Sequence, residues 1–91
     1  MGEILKQSKS LANLKKGDKI KVNGTELIVD SHYLFIDHKT TKEMIIEVYN
    51  PKNEREFQIR YFDDQIETSI EVYELSNDFQ YVGRDFETIE W

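Results

Sequence analysis

Apolar and polar positions alternate with a period of two over much of this 91-residue chain, and turn residues stand where the alternation breaks. The first segment is the exception. Residues 3–12 place Ile4, Leu5, Ser8, Leu11 and Ala12 at spacings of three and four, with no proline among them. That spacing predicts a short amphipathic helix, its apolar stripe docked on the rest of the chain and its lysines in solvent. Gly17 and Asp18 end the segment with turn chemistry.

From Lys19 the period is two. Lys19, Ile20, Lys21 and Val22 alternate, Asn23 and Gly24 supply the two positive-φ positions of a type I′ hairpin turn, and Leu27, Ile28 and Val29 carry the returning strand. Residues 32–37 continue it around Leu34, Phe35 and Ile36, and a polar turn covers 38–42. In 43–49, Met44, Ile46 and Val48 share one face, while Glu43, Ile45, Glu47 and Tyr49 share the other. Residues 50–53 form a second turn, where Pro51 has its φ preset and Asn50 can bond its own backbone. Residues 55–62 make the cleanest strand, with Phe57, Ile59 and Tyr61 inward and Glu56, Gln58 and Arg60 outward, so the two strands pair antiparallel.

The stretch 66–75 fits two patterns. Ile66, Ile70 and Tyr73 suit a helix capped by Asp63 or Asp64, whereas Ile66, Thr68, Ile70 and Val72 suit a strand, and the branched residues tip it to strand. Ser76, Asn77 and Asp78 form a turn, 79–82 a short strand, Gly83 a break, and 86–91 a last strand with Ile89 and Trp91 on one face.

About six short strands joined by tight turns predict a mostly β fold, α+β at the margin. The expected form is a small antiparallel meander curled into a barrel or rolled sheet, with a short N-terminal helix. One small domain spans 1–91, with residues 1–16 as helix or arm and 17–91 as the β-rich core. Leu14-Lys15-Lys16-Gly17-Asp18-Lys19-Ile20-Lys21-Val22, the Asn23-Gly24 turn and the strand 26–29 resemble the opening of SH3-like small β-barrels. That resemblance implies a small-barrel architecture. Members of the superfold bind RNA, DNA or peptides, so it does not by itself choose a function.

Composition decides several questions. A third of the residues are charged, which leans toward disorder, but five Phe, five Tyr and one Trp each bury about 150–250 Å² when packed and favour a folded domain. With no cysteine there is no disulfide, thiolate zinc site or cysteine nucleophile, and a cytoplasmic location is expected. The longest aliphatic or aromatic stretches, 33–36 and 44–46, are too short for a signal peptide or a membrane span, so a soluble chain is expected.

Charge is sorted along the chain. From Asp63 onward nine carboxylates face one base, Arg84, whereas the first 21 residues carry six lysines against Glu3 and Asp18. An acidic C-terminal face suggests a basic protein partner, or self-association of the basic arm of one molecule with the acidic face of the next. Part of this acid is simply the wet face of a sheet, as at Glu43 and Glu47 or Glu67 and Glu71.

Candidate chemistry is sparse. Asp63, Asp64 and Glu67 are the best metal candidates, three carboxylates at a strand end that can converge on Ca²⁺, although the spacing of an EF-hand loop is absent. Lys15, Lys16, Lys19 and Lys21, with Lys6 and Lys9, are the one footprint for phosphates, with Tyr33, Tyr49 or Phe62 to stack bases. The net charge of −6 opposes nucleic-acid binding. His32 and His38 share an extended face about 20 Å apart, too far to ligate one metal. Asp30, Ser31 and His32 have the letters of a hydrolytic triad, but adjacent strand residues point to opposite faces. No glycine-rich phosphate loop is present. The expectation is therefore a noncatalytic protein-binding module, with Ca²⁺ binding or weak nucleic-acid binding as alternatives.

Overall fold

The Asn23-Gly24 signal is met directly. In the computed structural model, which describes residues 2–91, Asn23 and Gly24 have φ of 53° and 80°. They join β2 (Lys19–Val22) to β3 (Thr25–Asp37), in a register running from Lys19↔Ile28 to Val22↔Thr25. The other strands are β1 (Glu3–Lys6), β4 (Lys42–Tyr49), β5 (Glu56–Phe62), β6 (Glu71–Leu75), β7 (Tyr81–Arg84) and β8 (Thr88–Glu90). All eight form one sheet in the order β1-β8-β2-β3-β4-β5-β6-β7.

Strands β2 to β7 are an antiparallel meander, and β8 returns to pair with β2 while β1 lies parallel to β8. The return fixes the curvature. In a flat sheet β7 and β8 would stand roughly 29 Å apart, six strand spacings, yet only residues 85–87 connect them, a reach of roughly 14 Å. The sheet therefore curls into a half-barrel. Two register shifts in β3, between Val29 and Ser31 and between Leu34 and Ile36, add local bend and twist.

The inward positions are those the alternation predicts. Ile20, Leu27, Val29, Ile46, Val48, Ile59, Tyr61 and Ile89 are buried together, and Leu11, Leu14 and Trp91 pack with them. Each large aliphatic side chain so buried contributes about 1.5–3 kcal/mol. Asn50 closes the turn between β4 and β5 as its sequence suggests, its Oδ1 accepting the Lys52 N–H at 2.9 Å.

The expected N-terminal helix is not there. Residues 3–6 are strand β1, in register Glu3↔Thr88 and Ile4↔Ile89, and the segment's helical content is a 3₁₀ turn at Leu11–Asn13 capped by Ser10. A ten-residue helix is marginal in water, whereas the open edge of β8 offers backbone partners along its length. The ladder extends beyond the strand, because Ser8 N–H donates to the Trp91 carbonyl and Trp91 N–H to the Lys6 carbonyl. Only part of the supposed stripe is buried: Ile4 and Leu11 reach the core, but Leu5 and Ala12 are exposed.

Residues 66–75 divide rather than choose. Ile66–Thr68 is a 3₁₀ turn and Glu71–Leu75 is β6, so Ile66 and Ile70 reach the core from irregular backbone. Ser69 stabilises the junction by accepting the Phe62 N–H at 2.8 Å. Among the described residues no helix is long and apolar enough to cross a membrane.

Candidate functional site

Because β4 and β5 turn Met44, Ile46, Val48, Phe57, Ile59 and Tyr61 inward, alternation puts Ile45, Glu47, Tyr49, Gln58 and Arg60 on the convex face. The register then aligns Tyr33, Ile45 and Arg60 in one cross-strand row, and Ser31, Glu47, Gln58, Tyr73 and Gly83 in the next. Among the described residues no second sheet packs over this face. It nevertheless holds a small apolar centre: Ile45 is 1% exposed although it points away from the main core.

Arg60 organises that centre. Its guanidinium carbon lies 3.9 Å from the Tyr73 ring centroid and 5.1 Å from that of Phe35, a position between two rings that favours a cation. Its Nε and Nη2 both donate to Gln58 Oε1, at 3.1 and 2.9 Å, which fixes the guanidinium plane. Opposite Tyr73 stands Gly83, where even a Cβ would meet the ring only in ordinary contact, at 3.6 Å.

Next to this stack stands Glu47. Its carboxylate accepts the Ser31 hydroxyl at 2.9 Å, and the Tyr81 hydroxyl approaches at 3.5 Å. Burial, and then the Glu47 charge, push the Tyr33 hydroxyl above the ordinary tyrosine range. Burial also raises Tyr81, followed by the charges of Glu47 and Glu56. A cavity of about 350 Å³ adjoins these groups, with Asp30, Glu47, Tyr49, Glu54, Glu56 and Tyr81 in its wall. The face is thus aromatic, preorganised and locally acidic.

The sequence-predicted residues lie elsewhere. Asp63 accepts the Lys42 N–H at 3.0 Å, Asp64 accepts the Thr41 hydroxyl at 2.5 Å, and Glu67 accepts Gln7 Nε2 at 2.6 Å. Asp63 also accepts the Thr41 hydroxyl, at 3.3 Å, so Asp63 and Asp64 share Thr41 while Glu67 turns to Gln7, and among the described residues no group of three or more His, Asp or Glu side chains is placed to hold a metal ion. Lys19 and Lys21 stand on β2, 3.7 Å from Glu26 and Glu90 respectively. Lys15 offers its backbone N–H to Asp18, which Lys9 also holds at 2.8 Å; Lys16 is exposed beside it. These contacts, the Lys9 hydrogen bond first, lower the Asp18 pKa.

One of the acids beyond Asp63 is withdrawn from the surface. Glu74 is drawn to the interior, 8% exposed, between Arg55 and Arg84. Ser31 and His32 point apart, as adjacent strand residues must. Inside the half-barrel His32 Nδ1 lies 2.7 Å from the Leu14 carbonyl and Nε2 2.7 Å from the Tyr61 hydroxyl. A carbonyl only accepts, so Nδ1 carries the proton of the neutral ring and Tyr61 donates to Nε2. His38 packs against Phe62 with its Nε2 3.6 Å from Glu43.

Sequence reasoning sets Arg60, Glu47 and Tyr49 outward but gives no reason to join them to Phe35, Tyr73 and Tyr81. The joining rests on pairing across five strands, β3 to β7, which no local pattern states. The available signal is an outward row unusually rich in Tyr and Arg, the residue types that anchor interfaces. Comparison with known proteins returned no matching family model, no matching curated protein and no matching solved structure.

Proposed function

We propose that this chain is a noncatalytic protein-binding module whose binding surface is the convex face around Arg60. The observation that carries the reading is the Phe35–Arg60–Tyr73 stack over buried Ile45, with Tyr33 and Tyr81 beside it. Large aromatic side chains held in place by neighbours lose little entropy on binding and dominate interface energetics. Tyr33 and Phe35 remain 40% and 44% exposed, so they are available to a partner. Both ring nitrogens of His32 are held by structural hydrogen bonds, which favours binding over acid–base chemistry at that residue.

A peptide display library panned on the intact protein tests the reading. Peptides should be enriched whose binding falls at least tenfold on Tyr73→Ala or Phe35→Ala and is unchanged by Lys16→Ala in the turn before β2. Enrichment of no peptide, or of peptides indifferent to Phe35 and Tyr73, overturns it. Backbone amide spectra of each variant confirm that the fold is retained.

A further inference from the structure

On the reading that the convex face binds protein, the cavity beside it specifies what that protein carries. We infer that the partner segment is basic and that it seats an arginine side chain between Tyr49 and Tyr81, against Glu47 and Glu56. Asp30, Glu47, Glu54 and Glu56 all line the cavity, no Lys or Arg does, and among the described residues none of these four carboxylates stands within ion-pair distance of a Lys, Arg or His. Four uncompensated carboxylates in one concave wall concentrate negative potential and repel phosphate, so a cationic protein segment fits where a nucleic acid does not.

The walls choose between the two basic side chains. Tyr49 and Tyr81 offer rings, and Glu47 and Glu56 offer paired oxygens, the combination that suits a planar, weakly hydrated guanidinium better than a compact ammonium. The chain supplies an internal precedent on the same face: Arg60 already lies between Phe35 and Tyr73, with two of its nitrogens on one acceptor. Of the chain's six N-terminal lysines, Lys9, Lys19 and Lys21 are engaged by Asp18, Glu26 and Glu90, and none of the six carries the planar guanidinium that these walls suit.

The test titrates ¹⁵N-labelled protein with an acetylated, amidated octapeptide of glycine and serine carrying two arginines, and with versions carrying lysine or glutamate instead. The arginine peptide should shift the amides of Glu47, Tyr49, Glu56 and Tyr81. It should bind at least about threefold tighter than the lysine peptide, and lose about tenfold between low and high salt. The Glu47→Gln, Glu56→Gln double variant should lose about tenfold, as should the milder Asp30→Asn, Glu54→Gln pair if the first alters the amide spectrum of the free protein. Equal affinity of wild type and both double variants overturns the inference, as do shifts confined to other residues. Concentration-dependent shifts at the same amides in protein alone, with sedimentation showing a dimer, also overturn it by making a second copy the occupant. The two proposals fail separately: display-selected peptides that need Phe35 and Tyr73 but carry no basic residue sink only the arginine inference, whereas no peptide on the face at all sinks both.

Discussion

Arg60 stacks on Tyr73, a diagonal neighbour, rather than pairing with Glu71, the residue directly across from it on β6. The ring lies 3.9 Å from the guanidinium carbon, while Arg60 and Glu71 form no ion pair. The aromatic contact and the fork to Gln58 therefore hold the side chain, so Arg60→Lys should cost about 1–2 kcal/mol in urea denaturation. Glu71→Gln should change stability by less than about 0.5 kcal/mol. The reverse order would show that the cross-strand charge, not the stack, fixes Arg60.

The β2–β3 turn serves two purposes. Asn23 adopts the positive φ that the hairpin requires, and its Oδ1 also accepts the Glu87 and Thr88 N–H groups at 2.7 and 3.1 Å. Asn23→Gly preserves the turn and loses both bonds, a cost of about 1–2 kcal/mol. Asn23→Ala loses the bonds and adds left-handed strain, so it should be worse by a further ~1 kcal/mol. Equal stability of the two variants in chemical denaturation would mean that the side-chain bonds to the β8 approach carry the whole effect.

The contrast between that turn and the N-terminus explains what a sequence can and cannot announce. Asn23-Gly24 is a local instruction, satisfied by two dihedral angles, and the alternation in 43–49 and 55–62 is a local instruction about faces. Ile4 carries no such instruction. Its strand exists because β8, more than eighty residues along the chain, leaves an open edge, and three-and-four spacing over 3–12 is compatible with that outcome by accident. The convex-face site has the same character. Arg60 is legible as outward-facing, but Phe35 reaches it through a register shift in β3, and Tyr73 through a strand that starts only after a 3₁₀ turn.

Trp91 ties the two ends of the chain together. Its indole Nε1 donates to the Lys9 carbonyl at 2.7 Å, and its ring is buried beside Leu11 and Leu14. Trp91→Phe keeps most of the packing and strands one carbonyl, for about 1–2 kcal/mol; Trp91→Ala should cost about 3–5 kcal/mol. As the only tryptophan, it reports on its own environment, so emission should shift to the red on unfolding. A wild-type spectrum already that of an exposed indole would contradict the closure of β1 and the 3₁₀ turn over the barrel end.

Tyr61 links stability to alkaline pH. Burial first, and then the Asp63 charge, push its hydroxyl up to about 12, from an ordinary value of 10. A raised pKa means that the folded state holds this proton more tightly than the unfolded state does. The stabilisation is thus complete below pH 10 and is lost as pH rises from about 10 through 12. Roughly 2–3 kcal/mol should disappear over that window. Tyr61→Phe should be less stable at neutral pH, because His32 Nε2 loses its donor, by about 1 kcal/mol. Its stability should then fall less steeply above pH 10, so that the difference from wild type narrows. Paired urea titrations at pH 8 and pH 11 measure the difference directly, and an unchanged gap would mean that Tyr61 ionises no later than a solvent-exposed tyrosine.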